Sequence, residues 1–236
     1  MRSCLIQLLI LVAVAFGLLW FGLPLGAGWL ASNALNAAGF SGTGTRVDVS
    51  SNPPPLLLTG KADTIHITST QVSVGDLHAA TLDFTLKSVS LIDRTIGTID
   101  GTLTGVKMPS PDGKTVVAES ATLNGPGKQA VAELNMSRSI VESLAAEQLK
   151  SQTGISATIT LGQPNTVTVR VGTQSQTGTI VVKNDELDIV PTSPSLPTVI
   201  LLKSSDGNPF TLTSVGISGD VVTLRGLIDV QALLGL

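Results

Sequence analysis

His66 and His78 are the two histidines of this chain, and Cys4 is its single cysteine. A zinc site needs three or four His, Cys or carboxylate donors converging on one point. The two histidines fall on different segments without ligand spacing, and Cys4 precedes a long apolar run, so no metal site is expected. Hydroxyl side chains are abundant, yet no Gly-x-Ser-x-Gly elbow is present and no Ser-x-x-Lys stands in a penicillin-binding setting. Asp83 and Asp100 could pair across strands as acid and base. Both fall on the Thr-rich side of their segments, where a solvated surface is the simpler expectation. Gly42-Thr43-Gly44 lacks the third glycine and the strand-to-helix setting of a dinucleotide loop, and reads as a linker. No catalytic residue, no cofactor and no enzymatic activity are therefore expected.

The elements that would position any other function are mostly strands. Ile65 and Ile67 alternate with Thr64, His66 and Thr68, and Leu82, Phe84 and Leu86 alternate with Thr81, Asp83 and Thr85. The phase then slips to Val89 and Leu91, which predicts a bulge near Lys87 and Ser88. In Thr98 to Val106, Ile99 and Leu103 share a face with Gly101 and Gly105, the mark of a bent strand. Further strands are predicted at 130–136, 155–161, 167–171, 180–182, 187–190, 199–202, 210–215 and 221–224, with turns at Lys183-Asn184-Asp185-Glu186 and Ser218-Gly219-Asp220. Between them the period changes. Over 139–152, Ile140, Val141, Leu144, Ala145 and Leu149 occupy one side of a helix, and Glu142, Ser143, Glu147 and Lys150 the other. Ser139 and Glu142 have capping-box spacing, Ser137 is an alternative cap, and Gly154 stands where a C-terminal cap belongs.

Such a helix is either an ordinary core element or one wall of a cavity. The inward faces are supplied by Leu, Val, Ile, Ala and Gly with hardly an aromatic, and a curved sheet so lined could leave an apolar groove beside the helix. The candidate lining is Leu82, Phe84, Leu86, Ile99 and Leu103 from the sheet with Ile140, Val141, Leu144, Ala145 and Leu149 from the helix. Composition agrees: the chain is 13% charged and 3% aromatic, without tyrosine, and carries a net charge of −3. Nucleic-acid binding, which relies on positive charge and aromatic platforms, is disfavoured.

Between Arg2 and Arg46 there is no charged residue, and from Leu5 to Leu30 the one clearly polar side chain is Gln7. As a helix, Leu5 to Pro24 would be roughly 30 Å long, the hydrocarbon thickness of a bilayer. With Arg2 on its leading side, the segment places the N-terminus in the cytoplasm and the rest of the chain outside. Residues 1–30 are thus a signal peptide or a transmembrane anchor. Pro24-Leu25-Gly26-Ala27-Gly28 also fits a signal-peptidase site, and the choice stays open. Cleavage would yield a secreted or periplasmic protein, and retention a membrane-anchored one facing outside. Trp29 to Ala38 reads as a short helix ended by Gly39.

Pro53-Pro54-Pro55-Leu56-Leu57-Leu58-Thr59-Gly60-Lys61-Ala62-Asp63-Thr64-Ile65-His66-Ile67, followed by Val72-Ser73-Val74, Leu82-Asp83-Phe84-Thr85-Leu86-Lys87-Ser88-Val89 and the helix from Ser137, resembles the LmeA-like phospholipid-binding proteins. These are exported bacterial envelope proteins related to tubular (TULIP-like) lipid-binding domains. The resemblance covers residues 29 to 150 well and the remainder loosely. It implies a long, strongly curved sheet wrapped around helix, phospholipid held in the apolar interior, and no catalysis. The expectation is therefore an α+β, mainly β chain: an N-terminal transmembrane or signal helix, then one exported domain over 31–236 in which a curved antiparallel sheet wraps an amphipathic helix. Its partners would be phospholipid and, through the N-terminal segment, the membrane, with no nucleic acid. A β-rich surface adhesion or scaffold domain is the competing expectation.

Overall fold

A computed structural model describes residues 40–51, 57, 59–74, 77–90, 92–93, 95–109, 115–193, 198–203 and 210–230. The predicted membrane segment at 1–30 and the short helix at 29–38 lie outside these residues. Among the described residues no helix is long and apolar enough to cross a membrane.

The chain is mainly β, with thirteen described strands and one described helix. They are β1 (Phe40–Ser50), β2 (Lys61–Val74), β3 (Leu77–Ser90), β4 (Thr95–Pro109), β5 (Thr115–Pro126), β6 (Ala130–Ser137), α1 (Arg138–Thr153), β7 (Thr158–Gly162), β8 (Thr166–Val171), β9 (Gln174–Lys183), β10 (Glu186–Pro191), β11 (Val199–Lys203), β12 (Phe210–Ser218) and β13 (Val221–Ile228). Hydrogen bonding orders them as an eight-stranded antiparallel sheet, β1-β2-β3-β4-β5-β6-β13-β12, and a curled five-stranded half-barrel, β11-β10-β9-β8-β7. The described residues fall into two compact units. One runs through Ala132 and resumes at Ile228, and the other is Glu133–Leu227.

In the first unit β1 to β5 form an antiparallel meander whose strands β2, β3 and β4 are 14, 14 and 15 residues long. These are far beyond the usual five or six. The phase slip at Lys87 and Ser88 is real, but no residue is inserted. Leu86 pairs with Ile99 and Val89 with Ile96, three steps on both strands. The buried positions shift together on neighbouring strands: Ala62 and Ile65, Leu86 and Val89, Ile96 and Ile99. A second line of the same kind runs through Ser69 and Val72, Ala79 and Leu82, Leu103 and Val106, and Ala118 and Ala121. The cause is local. Ser88, Gln71 and Gly105 have φ of 52°, 50° and 57°, and a left-handed residue rotates its peptide and resets the alternation. The predicted bulge is thus corrected to a crease shared across strands.

The same physics sets what faces each crease. A Cβ on Gly97 would stand 2.8 Å from Ser88 Cβ, so this position must stay small. The segment Gly42-Thr43-Gly44, read as a linker, lies within β1. Gly44 supplies a φ of 63°, and two register shifts between Ser41 and Arg46 mark β1 as irregular there.

In the second unit the helix spans 138–153, one residue beyond the prediction at each end, and closes at Gly154 with φ 75° and its N–H on Lys150 O. The capping box does not form. Ser137 occupies the cap position with no side-chain bond to the helix backbone, its hydroxyl meeting Ser139 Oγ at 3.0 Å, and Glu142 reaches away from the helix instead. Its Oε1 accepts the Leu161 N–H at 2.8 Å, because an edge strand offers an unpaired donor that outcompetes the local one. The turn at Asn184 and Asp185, with φ of 51° and 61°, has the two left-handed residues of a type I′ hairpin, as predicted.

Candidate functional site

Strand pairing lays out the apolar face of the first unit row by row. Ile67, Phe84, Gly101 and Leu123 stand side by side, as do Ser69, Leu82, Leu103 and Ala121, and Ile65, Leu86, Ile99 and Gly125. Leu82, Phe84, Leu86, Ile99 and Leu103 are all buried, with Leu103 at 0% exposure. The sheet half of the predicted lining therefore sits on one face, as its alternation implies. Phe84 lies flat over Gly101, and a Cβ there would fall inside its ring carbons. This is why a glycine occupies the middle of a long strand: the aromatic ring of the neighbouring strand fills the space a side chain would take.

The opposite face carries hydroxyls and charges in matching rows. Thr70, Thr81, Thr104 and Ser120 are neighbours, and so are Arg46, Thr68, Asp83, Thr102 and Thr122. Thr81 and Thr104 share a hydroxyl bond of 2.6 Å. Asp83 and Asp100 are exposed on this face and lie diagonally, opposite Thr102 and Thr85 respectively. Instead of Asp100, Asp83 engages His66, whose Nε2 stands 2.9 Å from Asp83 Oδ1. Sequence spacing hid this pair, because register alone brings residues seventeen apart together. Both side chains are exposed, so the pair is a surface hydrogen bond rather than a desolvated acid–base couple. Among the described residues no group of three or more His, Cys, Asp or Glu is placed to hold a metal ion.

The helix half of the lining belongs to the second unit. Val141, Ala145 and Leu149 are buried, whereas Ile140 and Leu144 are half-buried. The helix packs on β7 and β11, the two outer strands of the half-barrel. Polar clasps hold both ends. Besides the Glu142 bond, Arg138 Nη1 donates to Leu161 O at 3.4 Å and its Nη2 to Asp220 Oδ1 at 2.8 Å. At the far end Gln152 Nε2 donates to Ile200 O at 2.7 Å. The helix thus satisfies backbone groups on both outer strands of the half-barrel, where Ile159, Leu161 and Val199 are buried as well. Neither Arg138 nor Gln152 stood out by spacing, since each acts on a strand distant in sequence.

Asp188 is the one charged side chain buried among the described residues. It lies between buried Leu187 and Ile189 on β10, opposite Val181 and Ile200, and its Oδ1 has no hydrogen-bond partner there. Burial pushes its carboxyl above the ordinary value of 3.8, the nearby negative charge of Glu186 adds to this, and Lys183 opposes it.

Compared with family models, with curated proteins and with solved structures, the chain finds no match in any of the three.

Proposed function

We propose that this is a non-enzymatic phospholipid-binding protein of the bacterial cell envelope, a carrier or sensor that holds acyl chains against aliphatic surface. The supporting observation is the two-sidedness of β2 to β5: four long strands present row upon row of Ile, Leu, Val, Ala and Gly on one face while hydroxyls and charges occupy the other. An acyl chain is long, narrow and unbranched. A surface of aliphatic side chains with few rings suits it, and hydrophobic burial rather than ion pairing would supply the affinity. Leu82, Phe84, Leu86, Ile99 and Leu103 are the proposed contacts in the first unit. Ile140, Val141, Leu144, Ala145 and Leu149 form a second apolar surface, inside the half-barrel. The resemblance to LmeA-like proteins supports the same function, and the uncharged N-terminal run supports export to the envelope.

The test is uptake of phospholipid from liposomes by the purified full chain, measured across ionic strength. Uptake that barely changes with salt is expected, because burial of acyl chains is not screened whereas contact between basic residues and headgroups is. Uptake that collapses at high salt would contradict the proposal.

The alternative, a β-rich adhesion or scaffold domain, draws on the opposite face. Its rows of Thr, Ser, Asp, His and Arg could meet a polar partner, and such a protein would take up no lipid at all.

A further inference from the structure

We propose that β1 is a dimerisation edge, to which a second copy of this chain adds its own β1 in antiparallel alignment. Three observations converge on it. First, β1 ends the strand order of the eight-stranded sheet, and among the described residues it pairs with β2 on one edge and with no strand on the other. From Arg46 to Ser50 its register with β2 is unbroken, so this stretch is a regular template, unlike the shifted part before it.

Second, burial fades at β1. Ile65 and Ile67 on β2 are 0% and 2% exposed, yet Val49 and Val47, their neighbours in the same rows, are only half-buried. Among the described residues no strand continues the apolar face beyond β1, and one more strand would extend it.

Third, the charges are self-complementary. Charged side chains on an edge ordinarily keep strands apart. Arg46-Val47-Asp48 behaves differently under a two-fold axis: with Val47 opposite Val47 of the second copy, each Arg46 stands directly opposite an Asp48. Directly opposed side chains in antiparallel strands are close enough to pair. Within one chain Arg46 Nε already meets Asp48 Oδ2 at 2.7 Å, with the side chains 73% and 51% exposed, so both groups are available to a partner. The inference is independent of the lipid proposal.

Native mass spectrometry of the full chain released from detergent tests it with exposed substitutions that leave the core untouched. The wild type should dimerise. Arg46→Asp and Asp48→Arg, each alone, place like charges opposite one another and should be monomeric, while a mixture of the two should form the heterodimer only. The exchange of both residues in one chain should restore the homodimer. Cross-linking gives an independent readout in a Cys4→Ser background: Val47→Cys should be captured as a disulfide far faster than Thr43→Cys, because only the residue on the axis brings its Cα atoms within disulfide range. A monomeric wild type would overturn the proposal. So would dimers that persist unchanged in both single variants, or cross-linking equal at the two positions.

Discussion

Gly101 and Phe84 show how one side chain's size dictates its neighbour's. Because the Phe84 ring occupies the volume of a Gly101 side chain, Gly101→Ala must push the ring off its rotamer or the strands apart. Overpacking of this kind costs about 1–3 kcal/mol, which thermal unfolding would reveal as a lowered Tm. Adding Phe84→Leu should recover part of the loss, since contacting sites are not additive. Equal losses in the single and double variants would contradict the contact. Asp188 gives the second residue-level prediction. Its folded carboxyl titrates above 3.8, so the stability tied to its neutral form is complete below that value and is lost as pH rises through the folded pKa. Asp188→Asn has no charge to bury. It should exceed the wild type in stability at neutral pH, where the Asp188 carboxylate must be held charged in a buried site, and the advantage should vanish below pH 3.8. Denaturant unfolding at the two pH values decides. An advantage of equal size at both would mean that ionisation is not its source.

Elements were legible wherever the period was long and uninterrupted. The helix is within one residue of its expected limits because five apolar positions and a terminal glycine mark it in isolation. The long strands were legible only as fragments. At each crease the alternation resets, so Thr64 to Thr68 looks like a five-residue strand although β2 runs for fourteen. β1 escaped because its glycines and register shifts belong to a strand edge rather than to a linker. The packing partner of the helix was not legible either: periodicity gives a buried face but not the strands that bury it. Ala145, at 0% exposure and within the arc of Val141 and Leu149, tests what that face does. If it is packed against β7 and β11, Ala145→Trp should lower stability by roughly 1–3 kcal/mol. Lys150→Glu, on the exposed side, should change little. An unchanged melting temperature with diminished lipid uptake would instead locate acyl chains beside the helix.

For the whole molecule, the N-terminal charge pattern and the aliphatic sheet face support one account: a chain exported to the envelope that carries lipid there. The export claim rests on the absence of charge between Arg2 and Arg46. A reporter fused after Leu236 should therefore be active only outside the cytoplasm, and cytoplasmic activity would contradict it. Of the candidate residues, the alternation of their segments told which sheet positions share a face, because Leu82, Phe84, Leu86, Ile99 and Leu103 all fall on the buried side of β3 and β4. The most direct test of lipid binding is to purify the full chain from its native membrane and weigh it intact by mass spectrometry, then extract it with organic solvent. A protein that holds phospholipid should arrive with a bound mass that extraction releases and identifies as phospholipid. A lipid-free mass, in protein that also acquires none from added liposomes, would contradict the account and favour the scaffold alternative.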